Sequence, residues 1–167
     1  MTLRARVAAA ALVLVLAFGA VAATGCGSSG SGTSGTPTIH FAKTKFLLHA
    51  GLAFGAFHRY IYKPYKNGGF RPASQHKAAI VKAGAAGLFA YHETKIALQD
   101  ARASKVLSRL LAPVLAVQTG LRSIATRLRG GNLDASGIES TNGAINSLSA
   151  QSKSAGATIT DHTPPAP

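Results

Sequence analysis

Seven residues, Leu107, Leu110, Val114, Val117, Leu121, Ile124 and Leu128, follow one another by steps of three and four. A helix gathers such positions on a single side, and an apolar side of that length has to be buried against other helices. The rest of the chain must therefore supply helical surfaces that cover this stripe. Pro113 lies inside the pattern, where its ring removes a backbone donor and crowds the preceding turn. A kink or short break is expected near Leu111, and Gly130-Gly131 ends the helix.

Composition agrees with helices rather than sheet. Hydrophobic residues make up 47% of the chain and aromatics 7%, with no Trp, a balance that favours Ala-rich helix packing over a β-branched, aromatic sheet. The expected fold is all-α, an antiparallel bundle of three to four helices over residues 37–160. One cysteine excludes an intrachain disulfide, so the domain has to be held by its core.

Breakers divide that domain. Pro37 opens a first helix, with Thr36 placed to cap it, and Pro64 disfavours helical geometry at Lys63, so the helix is expected over residues 37–62. It is apolar around much of its circumference, as in a bundle centre or in lipid. Gly51-x-x-x-Gly55 is a spacing that lets helices approach closely, while His49, His58 and Arg59 weigh against a membrane span. A loop with Asn67-Gly68-Gly69 follows, then a second helix over residues 74–102 whose first half is thin with Ala and Gly. Folding back antiparallel sets Gly51 level with Ala85 and Gly55 level with Val81, so the small surfaces of Gly51/Gly55 and Gly84/Gly87 are expected to meet. The third helix spans residues 104–129, with Ser104 as a candidate cap. A weaker fourth spans residues 133–157 on the sparse stripe of Ile138, Ile145 and Leu148. Residues 161–167 are expected to be a disordered tail.

Ahead of the domain, Arg4 and Arg6 precede an uncharged apolar stretch over residues 7–23, the charged and apolar regions of a secretory signal. Ala23-Thr24-Gly25-Cys26 then resembles the lipobox of bacterial lipoproteins, in which a peptidase cuts before the cysteine and the thiol carries a diacylglycerol. That resemblance covers about the first 35 residues and implies an exported chain, signal over residues 1–25, held to the outer face of a membrane through Cys26. Ordinary cleavage after Ala22 or Ala23, or an uncleaved leader, would export the domain as well. The body resembles no known family. Residues 26–36 read as a Gly/Ser tether with a reach of about 18 Å. Its Gly25-x-Gly27-x-x-Gly30 match to a dinucleotide fingerprint lacks the strand and helix that the motif needs.

The charge gives the domain its character. The 18 Lys+Arg against 5 Asp+Glu give +13, and without Arg4 and Arg6 the remaining 16 cations leave +11. Nearly all of it precedes residue 130. In an exported chain such a field meets anionic lipid headgroups or acidic envelope polymers rather than nucleic acid. The sharpest local signal is Arg59, Tyr60, Tyr62, Lys63, Tyr65, Lys66 and Arg71, with Phe70 beside them: cations among aromatics at a helix exit, suited to holding an anion or to lying at a membrane interface.

Six histidines raise a second reading. The assumed register puts His58 near His76 and His40 near His92, so a metal or haem held through His58, His76 or His92 is the alternative function. Cysteine ligands, a carboxylate pair and a nucleophile elbow are all absent from the sequence. The primary expectation is a non-enzymatic, lipid-anchored envelope protein without a cofactor.

Overall fold

The computed structural model describes residues 37–166, with side chains from residue 41 onward. The signal, Cys26 and the tether lie outside the described residues. Four long helices carry the fold: α1 (Pro37–Phe57), α3 (Lys77–Arg102), α4 (Leu111–Arg129) and α5 (Ala135–Ser154). Between α1 and α3 come a π-helical turn (His58–Tyr62) and the short α2 (Lys63–Lys66). Among the described residues there is no β-strand. Helix α1 packs on α3, α3 on α4 and α4 on α5, while α5 returns to the π-turn and closes the arrangement. This is the all-α bundle expected from the sequence.

The periodic stripe organises the core. All seven of its residues are buried, facing Ile138, Ile145 and Leu148 of α5 and the Ala/Gly face of α3. The short break expected near Leu111 is present, and α4 begins beyond it with Pro113 in its first turn. A 3₁₀ turn (Ser108–Leu110) precedes the helix, and a backbone N–H in the first turn has no intrahelical partner to lose. Ser104 is no cap: it is buried, and its Oγ is unpartnered. Asp134 does cap α5, accepting from the Gly137 N–H at 2.9 Å.

The helix expected to end at Tyr62 runs on to Lys66. Its backbone widens at the π-turn, where the Lys63 N–H donates to the His58 carbonyl, five residues back. The wider turn makes room for the Pro64 ring, and the proline sits at the start of α2, where its missing donor costs little. Only then does the chain reverse, with Gly68 at φ +72° and Phe70 buried beneath the turn.

That extension moves the register between α1 and α3. His49 pairs with Glu93 and the Ile61 side chain reaches Gly87, six to twelve residues farther along α3 than the assumed alignment places them. The two glycine pairs therefore do not meet. Gly84 packs on Leu128 and Arg129 and Gly87 on Ala125, both toward α4. Gly51 and Gly55 instead face the end of the chain, where a Cβ on Gly51 would lie 2.5 Å from the His162 ring and one on Gly55 would collide with the His162 carbonyl.

The tail expected to be disordered has no regular structure over residues 161–166, but it is packed against α1. After Gly156 (φ +71°), Ala157 is buried and its carbonyl accepts from Ser152 Oγ. The segment then crosses α1 without regular structure. The His162 N–H donates to the Gly51 carbonyl at 2.9 Å, and Pro164 is buried. Two glycines one turn apart leave a slot that a backbone can enter, which explains both the ordered tail and the wide apolar surface of α1. No described helix is long and apolar enough to cross a membrane.

Candidate functional site

The π-turn, α2 and the tail gather the polar chemistry at one end of α1. The π-turn delivers His58 and Arg59, α2 delivers Lys63, and the tail delivers Asp161, His162 and Thr163. Together with Gly55 and Pro164 they line a cleft of about 150 Å³. His58 Nδ1 and Asp161 Oδ2 are 2.6 Å apart, and this pair ties the tail to the π-turn.

The seven residues expected to form one cationic–aromatic cluster separate into three directions. Arg59 and Lys63 line the cleft. Tyr60 takes cations on its ring, with Lys82 Nζ at 5.1 Å and the Arg59 guanidinium at 5.7 Å. Tyr62 and Lys66 turn toward α5, where they reach Glu139 at 3.4 and 3.3 Å; Tyr65 lies beside Tyr62 at 6.5 Å. The Lys66 ammonium is held above the ordinary lysine range by the Glu139 hydrogen bond and charge, so what it contributes is present below that range and lost as pH rises through its own titration. Arg71 is exposed at the reversal and Phe70 is core. Sequence reasoning missed Asp161 and His162, which sit in the segment read as disordered; the Gly51/Gly55 spacing was the signal for them.

The histidines are not arranged as the metal reading requires. His58 meets Asp161 rather than His76, because the register has moved. His76 precedes α3 while His92 lies within it, 16 positions apart on a rise of about 1.5 Å per residue, or roughly 24 Å. The side chain of His40 lies outside the described residues. Among the described residues no three His, Cys, Asp or Glu side chains are grouped to hold a metal ion.

A second histidine–carboxylate pair lies between α1 and α3, His49 Nδ1 to Glu93 Oε2 at 2.6 Å, with Glu93 buried. Asp100 is close by; burial pushes its carboxyl above the ordinary range, the charges of His49 and Lys45 opposing, and its Oδ2 is unpartnered. Asp134 is held low by the Gly137 N–H, with help from Ser136 and Arg127. The acids of the domain are thereby engaged or buried. Among the 16 Lys and Arg beyond the signal, only Lys66 and Arg127 have a carboxylate partner among the described residues.

Those uncompensated cations border exposed apolar side chains. On α3, Val81 and Leu88 are 70% and 41% exposed, with exposed Ala85 between them and Lys77, Lys82 and Lys95 on the same surface. Arg129 adjoins Val81, Ala85 and Leu88 from α4. Comparison with family models, with curated proteins and with solved structures finds no match for this chain.

Proposed function

We propose that the protein is a non-enzymatic, lipid-anchored envelope protein whose basic bundle lies against an anionic membrane surface. The observation that carries this reading is the outward face of α3, where exposed Val81, Ala85 and Leu88 lie beside Arg129, with Lys77 next to Val81 and Lys82 exposed on the same helix. Apolar side chains beside cations suit the boundary between headgroups and acyl chains: the lysine stems lie along apolar surface while their charges reach phosphate. Each cation near an anionic leaflet contributes about 1 kcal/mol. A diacylglyceryl group on Cys26 would bring two acyl chains and so supply the attachment, while the basic face would draw the domain down onto the anionic surface.

The test uses the triple variant Lys77→Gln/Lys82→Gln/Arg129→Gln of the full chain, incorporated in phosphatidylcholine vesicles with or without phosphatidylglycerol. Protection of α3 from hydrogen exchange should rise in the anionic vesicles for the wild type and not for the variant. Equal protection in both membranes removes the lipid reading; protection gained only on adding an acidic polysaccharide moves the partner to an envelope polymer.

A further inference from the structure

We infer that the cleft between the π-turn and the tail is a binding site for a phosphate group that carries a proton, as inorganic phosphate and phosphomonoesters do. This goes beyond the membrane reading and stands or falls separately from it. Arg59 and Lys63 are four residues apart on the same helical run and both line the cleft. Neither has a carboxylate partner among the described residues, in contrast to Lys66 and Arg127. A guanidinium takes two oxygens of a tetrahedral anion side by side and an ammonium takes a third. Thr163 lines the same space.

Asp161 decides which anion fits. Its Oδ2 is engaged by His58 at 2.6 Å, which leaves the carboxylate an acceptor facing a cleft that would otherwise suit any anion. Sulfate has no proton to offer at neutral pH and would meet that carboxylate as a like charge. A hydrogen phosphate or phosphomonoester monoanion can donate its P–OH to the carboxylate while its other oxygens take Arg59 and Lys63. A phosphodiester headgroup lacks the proton and is disfavoured with sulfate. Apart from the two imidazoles the lining has no aromatic ring, so nothing there would stack a nucleobase, and the recognised unit is the phosphate itself.

The test follows the ring resonances of ¹⁵N-histidine-labelled full-length chain in neutral detergent, titrated with inorganic phosphate and, separately, with sulfate. Phosphate should shift His58 and His162 saturably while leaving His49 in place, and sulfate should bind about tenfold more weakly, the worth of one charge-assisted hydrogen bond. Arg59→Gln/Lys63→Gln should weaken phosphate by about tenfold or more on the same ground. Asp161→Asn should abolish the preference over sulfate, with unchanged His49 resonances as the control that the bundle is intact. No saturable shift, or equal affinity for the two anions in the wild type, overturns the assignment. The source is read with vesicles of phosphatidic acid and of phosphatidylglycerol at equal charge. Stronger attachment to phosphatidic acid that free phosphate competes away assigns a lipid phosphomonoester. Phosphate binding that leaves attachment to both vesicles unchanged assigns the soluble ion.

Discussion

Two regions of the bundle hold themselves in place by different physics. The α4–α5 pair is an apolar zipper: Leu121, Ile124 and Leu128 are buried, Gly120 fits under Thr141, and Asp134 caps α5. The end of α1 and the tail it carries are held by a glycine slot, a backbone hydrogen bond from His162 to Gly51, and the His58–Asp161 pair. The first region draws on area removed from water, the second on fit and polar partners. Cores made the first way fix a fold, and surfaces made the second way leave charged groups at the surface to meet a ligand.

Substitutions should separate the two regions, and the largest effect belongs to the zipper. Leu121→Ala should destabilise the bundle by about 2–5 kcal/mol, the range for a buried leucine replaced by alanine, read as a lower denaturant midpoint. A loss well under 1 kcal/mol would mean that α4 is not the centre of the core. Gly55→Ala comes next and should act locally. Its methyl group would strike the His162 carbonyl and expel the tail, while alanine favours the helix by about 1 kcal/mol. Global unfolding should change little, yet residues 158–166 should become cleavable by a nonspecific protease. A tail that stays protected would break the contrast drawn here.

Two smaller effects are set by pH. The Asp134 carboxyl lies below its ordinary value because it caps α5. Its contribution is complete above the ordinary carboxylate range and is lost as pH falls through its lowered titration. Asp134→Ala should therefore lower the thermal midpoint at neutral pH and converge with wild type in acid, as scanning calorimetry across pH would report. Asp100 is the mirror case, because burial raises its carboxyl and the folded state prefers it protonated. Stability associated with it is present at low pH and lost as pH rises through the raised titration. Asp100→Asn should leave acid stability unchanged and slightly raise the neutral midpoint; a loss at neutral pH would mean that Lys45 and His49 outweigh the burial.

How much of this was legible in the sequence follows the same division. The stripe from Leu107 to Leu128 and the stop at Gly130 are local signals, and the helix ends they suggest lie within four residues of those observed, except that the third helix begins at Leu111 rather than at residue 104. Pro64 was read too simply: a widened turn carried the helix past it, and that shift alone changed which residues of α3 face α1. The Gly51/Gly55 spacing announced a close approach but not its occupant, since a tail more than a hundred residues away leaves no periodic trace. His49–Glu93 and His58–Asp161 were hidden for that reason; pairing across elements depends on a register that composition does not encode. The cationic–aromatic run was visible, whereas its division among the cleft, Tyr60 and Glu139 was not.

The membrane reading of the α3 face is tested most directly by the full-length variant Leu88→Trp, which carries the chain's only tryptophan at a position 41% exposed in the bundle. In vesicles containing phosphatidylglycerol its emission should shift to shorter wavelength and be quenched by brominated acyl chains. About 1 M salt, where charges are screened within roughly 3 Å, should reverse both changes. Emission that is the same in neutral and anionic vesicles, and blind to brominated lipid, would contradict the account.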